Sequence, residues 1–142
     1  MSCTKTDKQQ IVIAFVRNFI LKVRRERALF ELNHPHKRNL FVRRLHHSWA
    51  TVIDIKKLTL IAKKVNDLDY IQKHLRLKDT ELIYIISDYD DIDNEIMEFK
   101  EGFNKCRGRG MVTLLLTLDA NKLYPDTEQV QGAPDKFIGK AF

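Results

Sequence analysis

A chain of 142 residues, 44% hydrophobic with only 5 glycines and 3 prolines, has apolar material for one packed core and too little linker chemistry for a disordered chain. Its two cysteines, Cys3 and Cys106, argue against a disulfide framework, and its longest apolar run, Ile11 to Val16, is far shorter than the roughly 20 residues a membrane helix needs. The formal net charge of +6 conceals an asymmetry, because residues 1–64 carry 15 Lys and Arg against 4 Asp and Glu, whereas residues 65–142 carry 10 against 15.

Thr6 and Gln9 form a capping-box pattern, and Val12, Phe15, Val16, Phe19, Ile20, Val23 and Phe30 then recur at three- and four-residue intervals. This predicts a long helix over about residues 7–31 at the centre of a helical half. Asp7 and Arg17 interrupt the apolar character that a secretory signal requires. The "NHP" at residues 33–35 stops the helix, since a residue preceding proline is pushed out of helical geometry.

Pro35 suits the first turn of a second helix running to about Ile53. At about 100° per residue, Phe41, Leu45, Trp49 and Val52 share one arc, with Val42 and Ile53 beside it, and this places Trp49 in the core. Arg43, Arg44 and His47 fall on the opposite face with Leu40. Two short helices follow, about Ile55–Val65 and Leu68–Leu75, separated by the cap candidates Asn66 and Asp67.

The period then changes. "ELIYIIS" reads as a buried strand over residues 82–87, followed by the acidic loop "DYDDIDN". Ile96, Phe99, Phe103 and Cys106 recur at helical spacing up to "RGRG", and "MVTLLLTLD" is a second strand. Strand, helix, strand suggests a parallel crossover, or antiparallel pairing with an extra short strand near Glu95–Met97. The tail is loop-like until "DKFIGKAF", which adds an edge strand. The predicted fold is α+β in one domain spanning residues 1–142. About four helices in a basic part, residues 1–78, pack with a small sheet in residues 79–142.

Four of the five histidines, the tryptophan and four Arg or Lys crowd into residues 34–49. His34, His36, His46 and His47 lack a familiar metal spacing and read as capping or surface residues. Lys37, Arg43, Arg44 and His47 are the anion-binding candidates, His47 contributing when protonated. Asp88, Asp90 and Asp91 lie beyond a strand's carboxyl end, where carboxylates hold Mg²⁺ for phosphoryl chemistry, yet they depart from the calcium-loop pattern and read as a solvated turn. "CRGRG", with Arg107 and Arg109, resembles an anion cradle but leaves a helix instead of entering one. Cys106, in an apolar stripe, reads as packing.

No catalytic constellation is complete, and no cofactor is implied. The sequence therefore favours a non-catalytic, cytoplasmic binding or regulatory protein presenting a basic helical surface to an anionic partner, with no membrane role. An acidic protein or self-association is the favoured partner; the alternatives are a nucleic-acid-binding protein and a metal-dependent phosphoryl-transfer enzyme using the acidic loop. The charge split allows a further reading, in which the two halves attract each other within the fold or across a dimer.

Overall fold

A computed structural model describes residues 5–63, 68–106, 112–126 and 135–141. The helix predicted over residues 7–31 is broken into α1 (Lys5–Phe19), a 3-10 turn (Lys22–Arg24) and α2 (Arg25–Leu32). Thr6 stands inside α1 and not at its cap. Tertiary partners cause the break: Leu21 adopts an extended ψ of 137° and donates its N–H to Val52 O at 2.9 Å, while Asp54 N donates to Phe19 O at 2.8 Å. The break resets the helical phase. Ile11, Val12, Phe15, Val16, Phe19 and Ile20 are buried, whereas Val23 and Phe30, expected on the same stripe, are 88% and 50% exposed.

α2 ends at Leu32, where the "NHP" signal predicts, and residues 33–37 turn the chain into α3 (Arg38–Ser48). α3 is shorter than predicted, because a 3-10 turn, Trp49–Thr51, replaces its last part. Phe41, Val42, Leu45, Val52 and Ile53 are buried as expected, but Trp49 is only partly so.

The helix predicted over residues 55–65 is instead a 3-10 turn, Ile55–Lys57, and the strand β1 (Leu58–Lys63). Short apolar runs are ambiguous in sequence, and here the partner strand, β6 (Asp135–Lys140), lies at the other end of the chain. α4 (Leu68–Leu75) follows as predicted, while Asn66 and Asp67 lie outside the described residues. β2 (Leu82–Ser87) and β4 (Thr113–Thr117) pair antiparallel, not through a parallel crossover. β3 (Ile96–Glu98), the short extra strand, pairs with β2 before α5 (Phe99–Cys106) crosses the sheet. The predicted loop contains β5 (Lys122–Asp126), and β6 lies between β1 and β5, not at an edge. Sheet order is β1-β6-β5-β4-β2-β3, antiparallel throughout. β5 pairs with β6 at Lys122 and Leu123, so Pro125, which has no N–H to give, stands past the end of that ladder.

Helices cover both faces of the sheet. Tyr84, Ile86, Leu114, Leu116 and Leu123 point into a core shared with α1, α2 and α3. Ile83, Ile85, Leu115, Tyr124 and Ile138 point into a second core with α4 and α5. A strand buried on both faces needs no polar alternation, which accounts for the runs "LIYII" and "TLLL". Among the described residues no helix is long and apolar enough to cross a membrane.

β6 packs against α1 at Gly139, where a Cβ would lie 2.8 Å from Phe19 Cε1, 3.1 Å from Leu123 Cβ and 3.2 Å from Leu58 Cδ2. Three neighbours from three elements would have to yield together. Gly139→Ala should therefore destabilise the protein by about 1–3 kcal/mol, the usual cost of overpacking, read as a lower urea midpoint. An unchanged midpoint would mean that β6 can lift away from α1 freely.

Candidate interaction surface

The charged residues of the helical half divide into those facing inward and those facing solvent. Arg38, in the first turn of α3, is 7% exposed. Its Nε and Nη2 donate to the two oxygens of Asp93 at 2.7 and 2.9 Å, and its Nη1 donates to Leu32 O at 3.0 Å, closing the C-terminal end of α2. Asp93 also accepts the Ser87 N–H at 2.9 Å. The Arg38 guanidinium lies 5.8 Å from the Tyr84 ring, and the Tyr84 hydroxyl donates to Asn94 Oδ1 at 2.7 Å. Burial pulls the Arg38 pKa down, but the hydrogen bonds and charge of Asp93, together with Tyr84, push it above its ordinary value. Burial raises the Tyr84 pKa against the opposing pull of Arg38, so the phenol keeps its proton and can donate.

This network joins the basic half to the acidic loop. Arg43 Nε lies 3.7 Å from Asp88 Oδ2, a second link across the same seam. Part of the charge asymmetry is thus spent inside the fold. Asp93, the carboxylate that matters most here, is not distinguished in sequence from its acidic neighbours. Its signal is spacing from the strand: it closes back on the N–H of Ser87, the last residue of β2.

Of the acidic candidates, Asp88 faces Arg43, and Asp90 and Asp91 are exposed. A polar cavity of about 330 Å³ between α3 and the loop is lined by Arg38, Arg43, Asp88, Asp90 and Asp93. Two arginines share this lining with the three aspartates, and their positive charge opposes a dication there. Among the described residues no three His, Cys, Asp or Glu side chains are grouped as a metal ion requires. Cys106 is buried in the second core, and Arg107 and Arg109 of "RGRG" lie outside the described residues.

The anion-binding candidates separate. Arg44 clamps Glu31 of α2 through both carboxylate oxygens, at 2.5 and 2.9 Å, and these hydrogen bonds raise its pKa. Lys37 is exposed, with Nζ 5.4 Å from the centre of the Phe30 ring. Arg43 and His47 lie further round α3, both exposed, His47 against the His46 ring at 5.6 Å. The structure therefore joins Lys37 and Arg44 to α2 and turns Arg43 toward the acidic loop.

Beside Lys37 lies a mixed surface. Val23, Arg27 and Phe30 follow one another at four- and three-residue spacing along the 3-10 turn and α2, which sets them on one face. The His34 ring lies 4.3 Å from that of Phe30, and Leu40, one turn beyond Lys37, is 45% exposed. Arg24 is exposed, and Arg27 is largely so, 3.7 Å from Glu31. Glu31 is itself buried, and Glu26 is an exposed carboxylate beside the ridge. Sequence periodicity assigns Val23 and Phe30 to the core. The crowding of Arg24, Arg25 and Arg27 between them is the signal against it.

No family model matches this sequence, no curated protein matches it, and no solved structure matches it.

Proposed function

We propose that this chain is a non-catalytic binding or regulatory protein whose basic helical surface takes an anionic partner, and that the partner is an acidic protein. The observation that carries this reading is the pairing of exposed apolar side chains with cations on the α2–α3 face: Val23, Phe30 and Leu40 beside Arg24, Arg27 and Lys37. Phosphate backbones recruit cations and have little use for an apolar centre. Two of the arginines a nucleic acid would want, Arg38 and Arg44, are held by Asp93 and Glu31. A reducing, cytoplasmic setting fits a chain with two cysteines, too few for a disulfide framework.

The test is affinity purification from the native host after nuclease treatment, comparing the wild-type chain with Arg27→Glu combined with Lys37→Glu. An acidic protein should be retained by the wild type, released by salt and lost with the double variant. Retained material that vanishes on nuclease treatment would transfer the surface to nucleic acid. Equal retention by both forms would remove this face from the function.

A further inference from the structure

We infer that the α2–α3 face docks an acidic amphipathic helix of the partner, its apolar side seated between Val23, Phe30 and Leu40 and its carboxylates meeting Arg24, Arg27 and Lys37. This rests on the function proposed above and names the form its partner takes. Three of the six large hydrophobic residues that are exposed among the described residues fall within residues 23–40: Val23 at 88%, Phe30 at 50% and Leu40 at 45%. Phe30 is bracketed by the His34 ring and the Lys37 ammonium, which hold its ring in place before any partner arrives.

Geometry favours a helix as the occupant. Val23 to Phe30 spans seven residues, or about 10 Å of helix, and Leu40 stands on α3 beyond Lys37. A ridge two turns long with an apolar residue on the adjoining helix is what a second helix packs against, ridge into groove. Electrostatics sets the sign. Glu31 is buried and neutralised by Arg44, so the exposed charges of the face are Arg24, Arg27 and Lys37 against Glu26. An anionic membrane is a poorer fit, because three cations with a carboxylate among them and three apolar side chains fall short of the paired signals that stable attachment takes.

The test is selection from a display library of peptides about 14 residues long, with apolar residues fixed at i, i+3, i+4 and i+7 and all other positions drawn equally from Asp, Glu, Lys, Arg, Ser and Gln. Selected binders should be rich in Asp and Glu, and amide shifts should map them to residues 22–44. Phe30→Ser with Leu40→Ser should weaken binding at least tenfold while leaving the melting temperature nearly unchanged. The inference is overturned if the library yields no binder, if basic sequences win, or if the double variant binds equally well. It is also overturned if phosphatidylserine vesicles or a second copy of the chain, seen by sedimentation, occupy the face in preference to every peptide. A natural partner lost with Arg27→Glu and Lys37→Glu but indifferent to Phe30→Ser and Leu40→Ser would sink the helix and keep the function. Indifference to the charge reversals would sink the function itself.

Discussion

Asp93→Ala should destabilise the protein by about 3–5 kcal/mol, among the largest effects of any single polar substitution in this chain. The substitution leaves Arg38 charged and 7% exposed, with its Nε and Nη2 deprived of the carboxylate that accepts them. It also deprives the Ser87 N–H of its acceptor. Arg38→Ala should be similarly costly, because it strands Asp93 and uncovers the Leu32 carbonyl at the end of α2. The informative variant is the pair together. Arg38→Leu with Asp93→Leu removes both charges, and buried ion pairs replaced by apolar groups of similar bulk are often neutral in stability. Denaturant unfolding of the wild type, Arg38→Leu, Asp93→Leu and the double variant closes a double-mutant cycle, with a coupling of at least 2 kcal/mol expected between two residues in direct contact. Single substitutions costing under about 1 kcal/mol would mean that water reaches this seam, and the attraction between the halves would then be a surface effect.

That seam also explains what a sequence can reveal about this fold. Local chemistry was readable: Pro35 ends α2, Leu68–Leu75 is helical, and the unbroken apolar run of β2 marks a strand covered on both faces. What was hidden depended on distant partners. α1 breaks because Val52 and Asp54 capture hydrogen bonds that a continuous helix would make for itself, and nothing near Leu21 announces it. β1 is a strand because β6 pairs with it, and β6 became an interior strand because β1 does. The exposed surface had the same fate. Its charges were legible as charges, but which of them face inward was not, since Arg38, Arg43 and Arg44 look alike in sequence and only Arg38 is buried. Periodicity assigns Val23 and Phe30 to the core because it assumes an unbroken helix.

Phe41→Ala should cost about 3–5 kcal/mol, and Trp49→Ala distinctly less, about 1–2 kcal/mol, although both residues lie on the same arc of an ideal helix. Phe41 is fully buried between α3 and α1, with its ring edge-on to Phe15 at 6.2 Å and 89°. Truncating it opens a cavity that two helices and a sheet cannot easily close. Trp49 has lost that position because the helix has ended before it. Ser48 leaves helical geometry at φ −149° and ψ 52°, and the following 3-10 turn advances by about 120° per residue instead of 100°. The indole therefore swings toward the rim of the core and is only partly covered. Its fluorescence maximum in the folded protein should lie between those of a buried and a free indole, shifting to the red on unfolding. Unfolding of both variants in urea provides the comparison. If Trp49→Ala proved as costly as Phe41→Ala, with a fully blue-shifted emission in the wild type, α3 would have to continue through Trp49, and the turn that brings Val52 O back to Leu21 N, and so breaks the first helix, could not form as described.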